Sequence, residues 1–152
     1  MVKIMIKVLF VCHGNVCRST MAQYILADLV AQAGRTDEFE IDSAATTSEE
    51  IGNGVYPASR RKLIEKGVEC GDHRARKMTA AEYDKWDHII VMDEENIRDA
   101  MRILKGDPKG KVSKLLSWAG KDRDISDPWY TGDFETAYQD ILTGCTAFLY
   151  AK

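Results

Sequence analysis

Two hydrophobic patterns alternate along the chain. Ile4–Val11 is nearly all apolar and rich in β-branched residues, as in a strand buried on both faces of a sheet. Ser19–Ala33 changes to helical spacing through Met21, Ile25, Leu29 and Val30, and Gly34 ends it. Phe39–Ala44 reads as a second strand, and Pro57–Lys66 as a helix with Leu63 and Ile64 inward. A short helix at Thr79–Tyr83 leads to a third strand, His88–Met92, after which Asp93 is placed to cap a helix over Glu94–Leu104. Val112–Leu116 is a weak fourth strand and Ser126–Gly132 a loop. Asp133–Tyr150 is a long amphipathic helix carrying Phe134, Ala137, Ile141, Phe148 and Leu149. The alternation predicts a single α/β domain over residues 1–152, a four-stranded parallel sheet with helices on both faces. Ligands of such sheets bind beyond the carboxyl ends of the strands, so the end of the first strand, at Cys12, is the place for a site.

Composition narrows the possibilities. The chain has 152 residues, 45% of them hydrophobic and 30% charged, enough for a real core and against disorder. A net charge of −3 argues against broad electrostatic binding to nucleic acid. No apolar run approaches the roughly 20 residues of a membrane span. The opening MVKIMIKVLFVC superficially suggests a signal peptide, but Lys7 splits the run and no small-residue cleavage site follows. A cytoplasmic protein without membrane or nucleic-acid partners is expected. Cys12, Cys17, Cys70 and Cys145 contain no C-x-x-C and match no usual zinc spacing. A mixed metal set of Cys12, Cys17, His13 and His73 is a minor alternative to no metal at all.

The residues between strand one and helix one are Cys12-His13-Gly14-Asn15-Val16-Cys17-Arg18-Ser19. A short turn feeding a helix N-terminus aims successive backbone N–H groups inward, with the helix dipole behind them, and makes an anion site. Gly14 and Asn15 are residue types that tolerate left-handed backbone, which a tight cradle needs. Arg18 brings a planar fork of donors to phosphate oxygens. A cysteine at the base of such a positive site, here Cys12, is a nucleophile poised for phosphoryl transfer. Taken singly, each residue has a plainer explanation: Cys12 as packing at a strand end, Gly14-Asn15 as a simple turn, Arg18 as surface.

The stretch Val11–Ser19 resembles the V-C-x-G-N-x-C-R-S loop of the low-molecular-weight protein tyrosine phosphatases. The resemblance runs to the final helix through Asp42-Ser43-Ala44, His73-Arg74-Ala75-Arg76, Met92-Asp93 and Asp127-Pro128-Trp129-Tyr130. It implies that Cys12 attacks phosphorus to form a phosphocysteine, and that Arg18 and the amides of the loop hold the equatorial oxygens. Ser19 then steadies the Cys12 thiolate, and Asn15 locks the loop through Ser43 and His73. Asp127 is the implied general acid, with Pro128 stiffening its loop and Trp129 and Tyr130 flanking an aromatic leaving group. Asp93, the rival acid, is assigned to a helix cap paired with Arg76. Cys17 is the implied partner of Cys12 in a protective disulfide. Phosphotyrosine proteins are the implied substrates of a monomer that needs no cofactor.

Two segments depart from the family pattern. Thr46–Asn53 carries Glu49 and Glu50 where many members have an aromatic wall, and Tyr56-Pro57-Ala58-Ser59-Arg60 differs from the usual Pro-x-Asp-x-Arg-like segment. The acidic pair leaves open a preference for basic flanking sequence or for small substrates. A protein-arginine phosphatase is the main alternative, although those enzymes typically have Thr where Val16 stands. An arsenate reductase needs relay cysteines that the Thr79–Glu95 segment lacks. A non-catalytic phosphate-binding module would have lost the nucleophile, arginine or acid; all three are present.

Overall fold

The apolar run at the start forms β1 (Ile6–Cys12), the central strand of a computed structural model that describes residues 5–152; Ile4, expected in this strand, lies outside them. β1 lies between β2 (Phe39–Ala45) and β3 (His88–Val91), and β3 pairs with β4 (Val112–Lys114). All pairings are parallel and the order is β2-β1-β3-β4. Val8 to Cys12 are fully or almost fully buried because the period-two alternation delivers them to two cores. Val8, Phe10 and Cys12 pack with Met21, Ile25 and Leu26 of α1 (Arg18–Gln32) and Ile141 and Phe148 of α6 (Phe134–Tyr150). Leu9 and Val11 face the opposite core with Trp86, Ala100 and Leu104, the last two from α4 (Glu94–Leu104). Each fully buried side chain of this kind contributes about 1.5–3 kcal/mol. α6 comes close enough to the segment after β4 that a Cβ on Gly144 would lie 2.5 Å from Leu115 Cγ.

Several boundaries differ from the sequence pattern for local reasons. α2 is Pro57–Glu65, with Leu63 fully buried but Ile64 63% exposed. Neighbours on a helix are about 100° apart, so a narrow seam admits only one of them. The short helix is α3 (Glu82–Lys85), later than expected, because the Glu82 side chain accepts from Thr79 N–H and keeps Thr79 ahead of the helix. Strand β4 ends at Lys114, and Leu115–Ala119 tightens into a 3₁₀ turn. The expected loop at Ser126–Gly132 contains a one-turn helix, α5 (Pro128–Thr131), with Asp127 as its N-cap and Pro128 in the first turn. Trp86 and Tyr83 are buried in the core rather than at the site. Among the described residues no helix is long and apolar enough to cross a membrane.

The order of the strands decides where a ligand can enter. The chain leaves β1 for β2 on one side and reaches β3 on the other, so the crevice above the β1 carboxyl end stays open. The Cys12–Ser19 segment lies there.

Candidate active site

The backbone of the loop is held by its carbonyls. Cys12 O accepts from Thr46 N–H (3.0 Å), His13 O from Thr47 N–H and Oγ1, Val16 O from Tyr56 N–H (2.9 Å), and Cys17 O from Met21 N–H. The N–H groups from His13 to Cys17 donate to no backbone carbonyl among the described residues. The N-cap of α1, Cys17, makes no side-chain cap, so the helix terminus adds its own unpaired donors to a concave ring. Asn15 takes the left-handed conformation at φ 58°, while Gly14 does not. A Cβ at Gly14 would lie 3.4 Å from Glu50 Cγ, close to ordinary contact, so neither φ nor space requires glycine there.

Asn15 is fully buried and makes four hydrogen bonds. Its Nδ2 donates to Ser19 Oγ (2.7 Å) and Ser43 Oγ (2.9 Å). Its Oδ1 accepts from His73 Nε2 (2.7 Å) and Arg76 N–H (3.2 Å). Ser43 Oγ donates in turn to Gln23 Oε1. Cys12 Sγ donates to Ser19 Oγ (3.0 Å), which also accepts from Asn15 Nδ2, so the hydroxyl keeps its own hydrogen to turn toward the sulfur when the thiol loses its proton. The loop, Ser43 and His73 are thus brought together as expected, with Gln23 and Tyr24, whose hydroxyl accepts from His73 N–H, as unforeseen supports.

Arg18 is nearly buried, and its guanidinium is held from behind. Nη1 donates to Asp93 Oδ2 (2.7 Å) and to Ile125 O (2.8 Å), and Nη2 lies 3.5 Å from Asp127 Oδ2. Burial works against the charged form, but Cys12, Asp93 and Asp127 outweigh it and raise the pKa of Arg18. Asp93 does cap α4, accepting from Asn96 N–H, but its ion-pair partner is Arg18 rather than Arg76. Arg76 is instead occupied by Asp42 (3.1 Å) and Glu82 (2.7 Å), across the sheet edge from Asp93.

Cys12, Arg18 and Asp127 line one open cleft of about 500 Å³ with His13, Gly14, Val16, Cys17, Glu49, Glu50, Trp129 and Tyr130. Asp127 Oδ1 accepts from Trp129 N–H, which turns the second carboxylate oxygen toward Arg18. Tyr56 supports the Trp129 ring (centroids 4.9 Å) and stacks on Phe134 (5.9 Å, 10°); no spacing in the chain singled it out. His13 Nε2 pairs with Glu49 Oε2 at 3.0 Å.

Burial foremost, opposed by the neighbouring Ser59 hydroxyl and reinforced by Cys12, pushes the Cys17 thiol up to about 12. Cys17 is therefore a neutral thiol beside Cys12, not a competing nucleophile. Among the described residues, one grouping, His13, Glu95 and Asp99, brings potential metal ligands within 4.8 Å of each other; Asp99 is paired with Arg102 and His13 with Glu49. Cys12, Cys17, His13 and His73 do not form such a grouping.

Residues 7–152 match the family model described as low molecular weight phosphotyrosine protein phosphatase. The chain is 37% identical over 147 residues to the low molecular weight protein-tyrosine-phosphatase YfkJ of Bacillus subtilis, covering 95% of this chain and 94% of the relative. The crystal structure of that protein superposes with a TM-score of 0.93 over 97% of this chain and 94% of its own, at 36% identity. A Drosophila arginine phosphatase superposes with a TM-score of 0.85 at 32% identity, covering 96% and 97%.

The half-buried His73 makes this network pH-sensitive. Burial, helped by Arg76 and opposed by Asp42, lowers the His73 pKa below its ordinary 6.5, and the neutral ring donates from Nε2 to Asn15. As pH falls below 6.5 the unfolded chain takes up this proton before the folded one, so stability falls through the window between the two values. His73→Gln should flatten the loss of stability between pH 7 and 5 measured by urea unfolding. His88, also lowered by burial, should leave part of the slope in place. A slope identical to wild type counts against the assignment.

Proposed function

The chain belongs to the low molecular weight phosphotyrosine protein phosphatase family, and we propose that it hydrolyses phosphotyrosine in proteins through a phosphocysteine on Cys12. One observation carries this reading: the N–H groups of His13–Cys17 donate to no backbone carbonyl among the described residues, and their loop lines one cleft together with Cys12 and Arg18. A phosphate dianion satisfies those donors, and the fork of Arg18 takes the oxygens that lean toward it. Sγ then attacks phosphorus in line; the S–P bond forms as the P–O bond to the phenol breaks. The Asp127 carboxylic acid gives its proton to the departing oxygen. In the second half-reaction water attacks phosphorus, its proton passes to the Asp127 carboxylate, phosphate departs and the thiolate is restored. Ser19 donates its free hydrogen to the sulfur anion, and Asn15, through Ser43 and His73, keeps the ring of amides closed. The steps balance with these groups alone, in a monomer and without a metal or cofactor.

Phosphotyrosine fits the cleft because Trp129 and Tyr130, 50% and 81% exposed, offer flat apolar walls to a phenyl ring. The resemblance to an arginine phosphatase supports a second reading. Against it stands Val16, whose buried methyl groups give a guanidinium nothing to bond. An unpaired polar group costs about 1–3 kcal/mol, or roughly 5–150-fold in rate.

Cys12→Ser should abolish turnover yet still bind vanadate or phosphate, measured as ligand-dependent protection from thermal unfolding. Retained hydrolysis would remove Cys12 from the mechanism.

Asp127→Asn should lower kcat by about 10²–10⁴ on esters with poor leaving groups, and by less as the leaving group becomes more acidic. Asp93→Asn, which loosens Arg18, should lower rates uniformly across the same series. An exchange of these two patterns would make Asp93 the acid.

On matched peptides kcat/KM should fall in the order phosphotyrosine, phosphoarginine, phosphoserine, and Val16→Thr should raise phosphoarginine relative to phosphotyrosine. A wild-type preference for phosphoarginine overturns the tyrosine assignment and leaves the cysteine chemistry standing.

A further inference from the structure

The rim of the cleft has an unusual charge for a site that receives a dianion. Among the described residues that line it, Arg18 is the single permanent cation, and its guanidinium is almost wholly covered and held by Asp93, Asp127 and Ile125 O. Glu49 and Glu50 stand on the wall facing Trp129 and Tyr130, and add two carboxylates to that of Asp127. Neither is a loose surface acid. Glu49 is held by His13 Nε2 at 3.0 Å, and Glu50 by the side chain of Asn53. Their loop is stitched down by Thr47 on His13 O, by Gly52 N–H on Ala75 O (2.9 Å) and by Ala75 N–H on Asn53 O (2.8 Å). Arg74, an exposed cation, bonds Gly52 O and does not line the cleft.

We infer that Glu49 and Glu50 select phosphotyrosine sites flanked by arginine or lysine. The inference rests on the phosphotyrosine reading and adds the substrate's neighbours to it. The donors for the phosphate lie at the base of the cleft, so the acidic rim does not compete for it; the rim meets the residues next to the phosphotyrosine. A flanking cation there finds two carboxylates whose partners from the protein are the His13 ring and the Asn53 amide rather than a lysine or arginine, whereas a flanking acid is repelled by both. Exposed pairs are individually weak, but attraction in one peptide and repulsion in the other act in the same direction on the ratio of rates.

The test compares three phosphotyrosine peptides that differ only in having Arg, Ala or Glu on both sides of the phosphotyrosine. At low ionic strength kcat/KM for the Arg peptide should exceed that for the Glu peptide by about 5- to 30-fold, and the ratio should shrink in 0.5 M salt, where screening is within a few ångströms. In E49Q/E50Q, which removes charge at nearly constant shape, the ratio should approach one. Equal rates for Arg and Glu peptides in the wild type, a ratio insensitive to salt, or a ratio that survives E49Q/E50Q overturns the inference. Hydrolysis of the Ala peptide reports separately on the parent reading; its absence overturns both.

Discussion

The site depends on one buried amide. Asn15 sits in left-handed backbone and is fully buried, a combination that costs free energy unless every polar atom finds a partner. Its carboxamide finds four, drawn from three parts of the chain: the head of α1, the end of β2, and the His73–Arg76 strap, which supplies two. Arg76 N–H can only donate, so the orientation of the amide is unambiguous, and the direction of every other bond in the network follows from it. Ser43 must accept, and therefore donates to Gln23; Ser19 accepts from Asn15 and from the Cys12 thiol. A thiol seven residues from its hydroxyl partner is thereby held in register by groups up to 61 residues away from Asn15.

The second constraint is electrostatic. A guanidinium as buried as that of Arg18 requires counter-charge, and Asp93 and Asp127 supply it from opposite sides. The two carboxylates have different holds. Asp93 caps α4 while it pairs with Arg18, so it ties the cradle to the sheet. Asp127 caps only a single turn and stands farther from the guanidinium. The same segment presents Trp129, steadied by Tyr56, so the carboxylate and this wall of the cleft rest on one short turn.

Much of the fold was legible because burial imposes periodicity. β1 reads as a strand because both of its faces are buried, and α1, α4 and the long final helix follow their apolar spacing. What failed to show was set by contacts distant in sequence. Ile64 looked core-facing because the pattern cannot tell which edge of a helix meets the sheet. The helical turn after Asp127 was hidden because one turn has no period to detect, although the Asp-Pro pair contains both of its starting signals.

The chain's own order of residues determined what the cradle is made of: a thiol, a guanidinium and the backbone donors between them lie in one short segment, Cys12–Arg18, because local backbone geometry and residue type suffice to make an anion cradle. Tertiary structure alone decided the partners. Arg18 pairs with Asp93 rather than leaving it to Arg76, because β1 and β3 are adjacent and their carboxyl ends open on the same crevice, whereas Arg76 is drawn toward Asp42 on the far side of β2. Glu49 and Glu50 became the rim of the cleft, and Tyr56 the support of its wall, for the same reason: a loop's sequence states what it carries, but only the sheet beneath it determines what it faces.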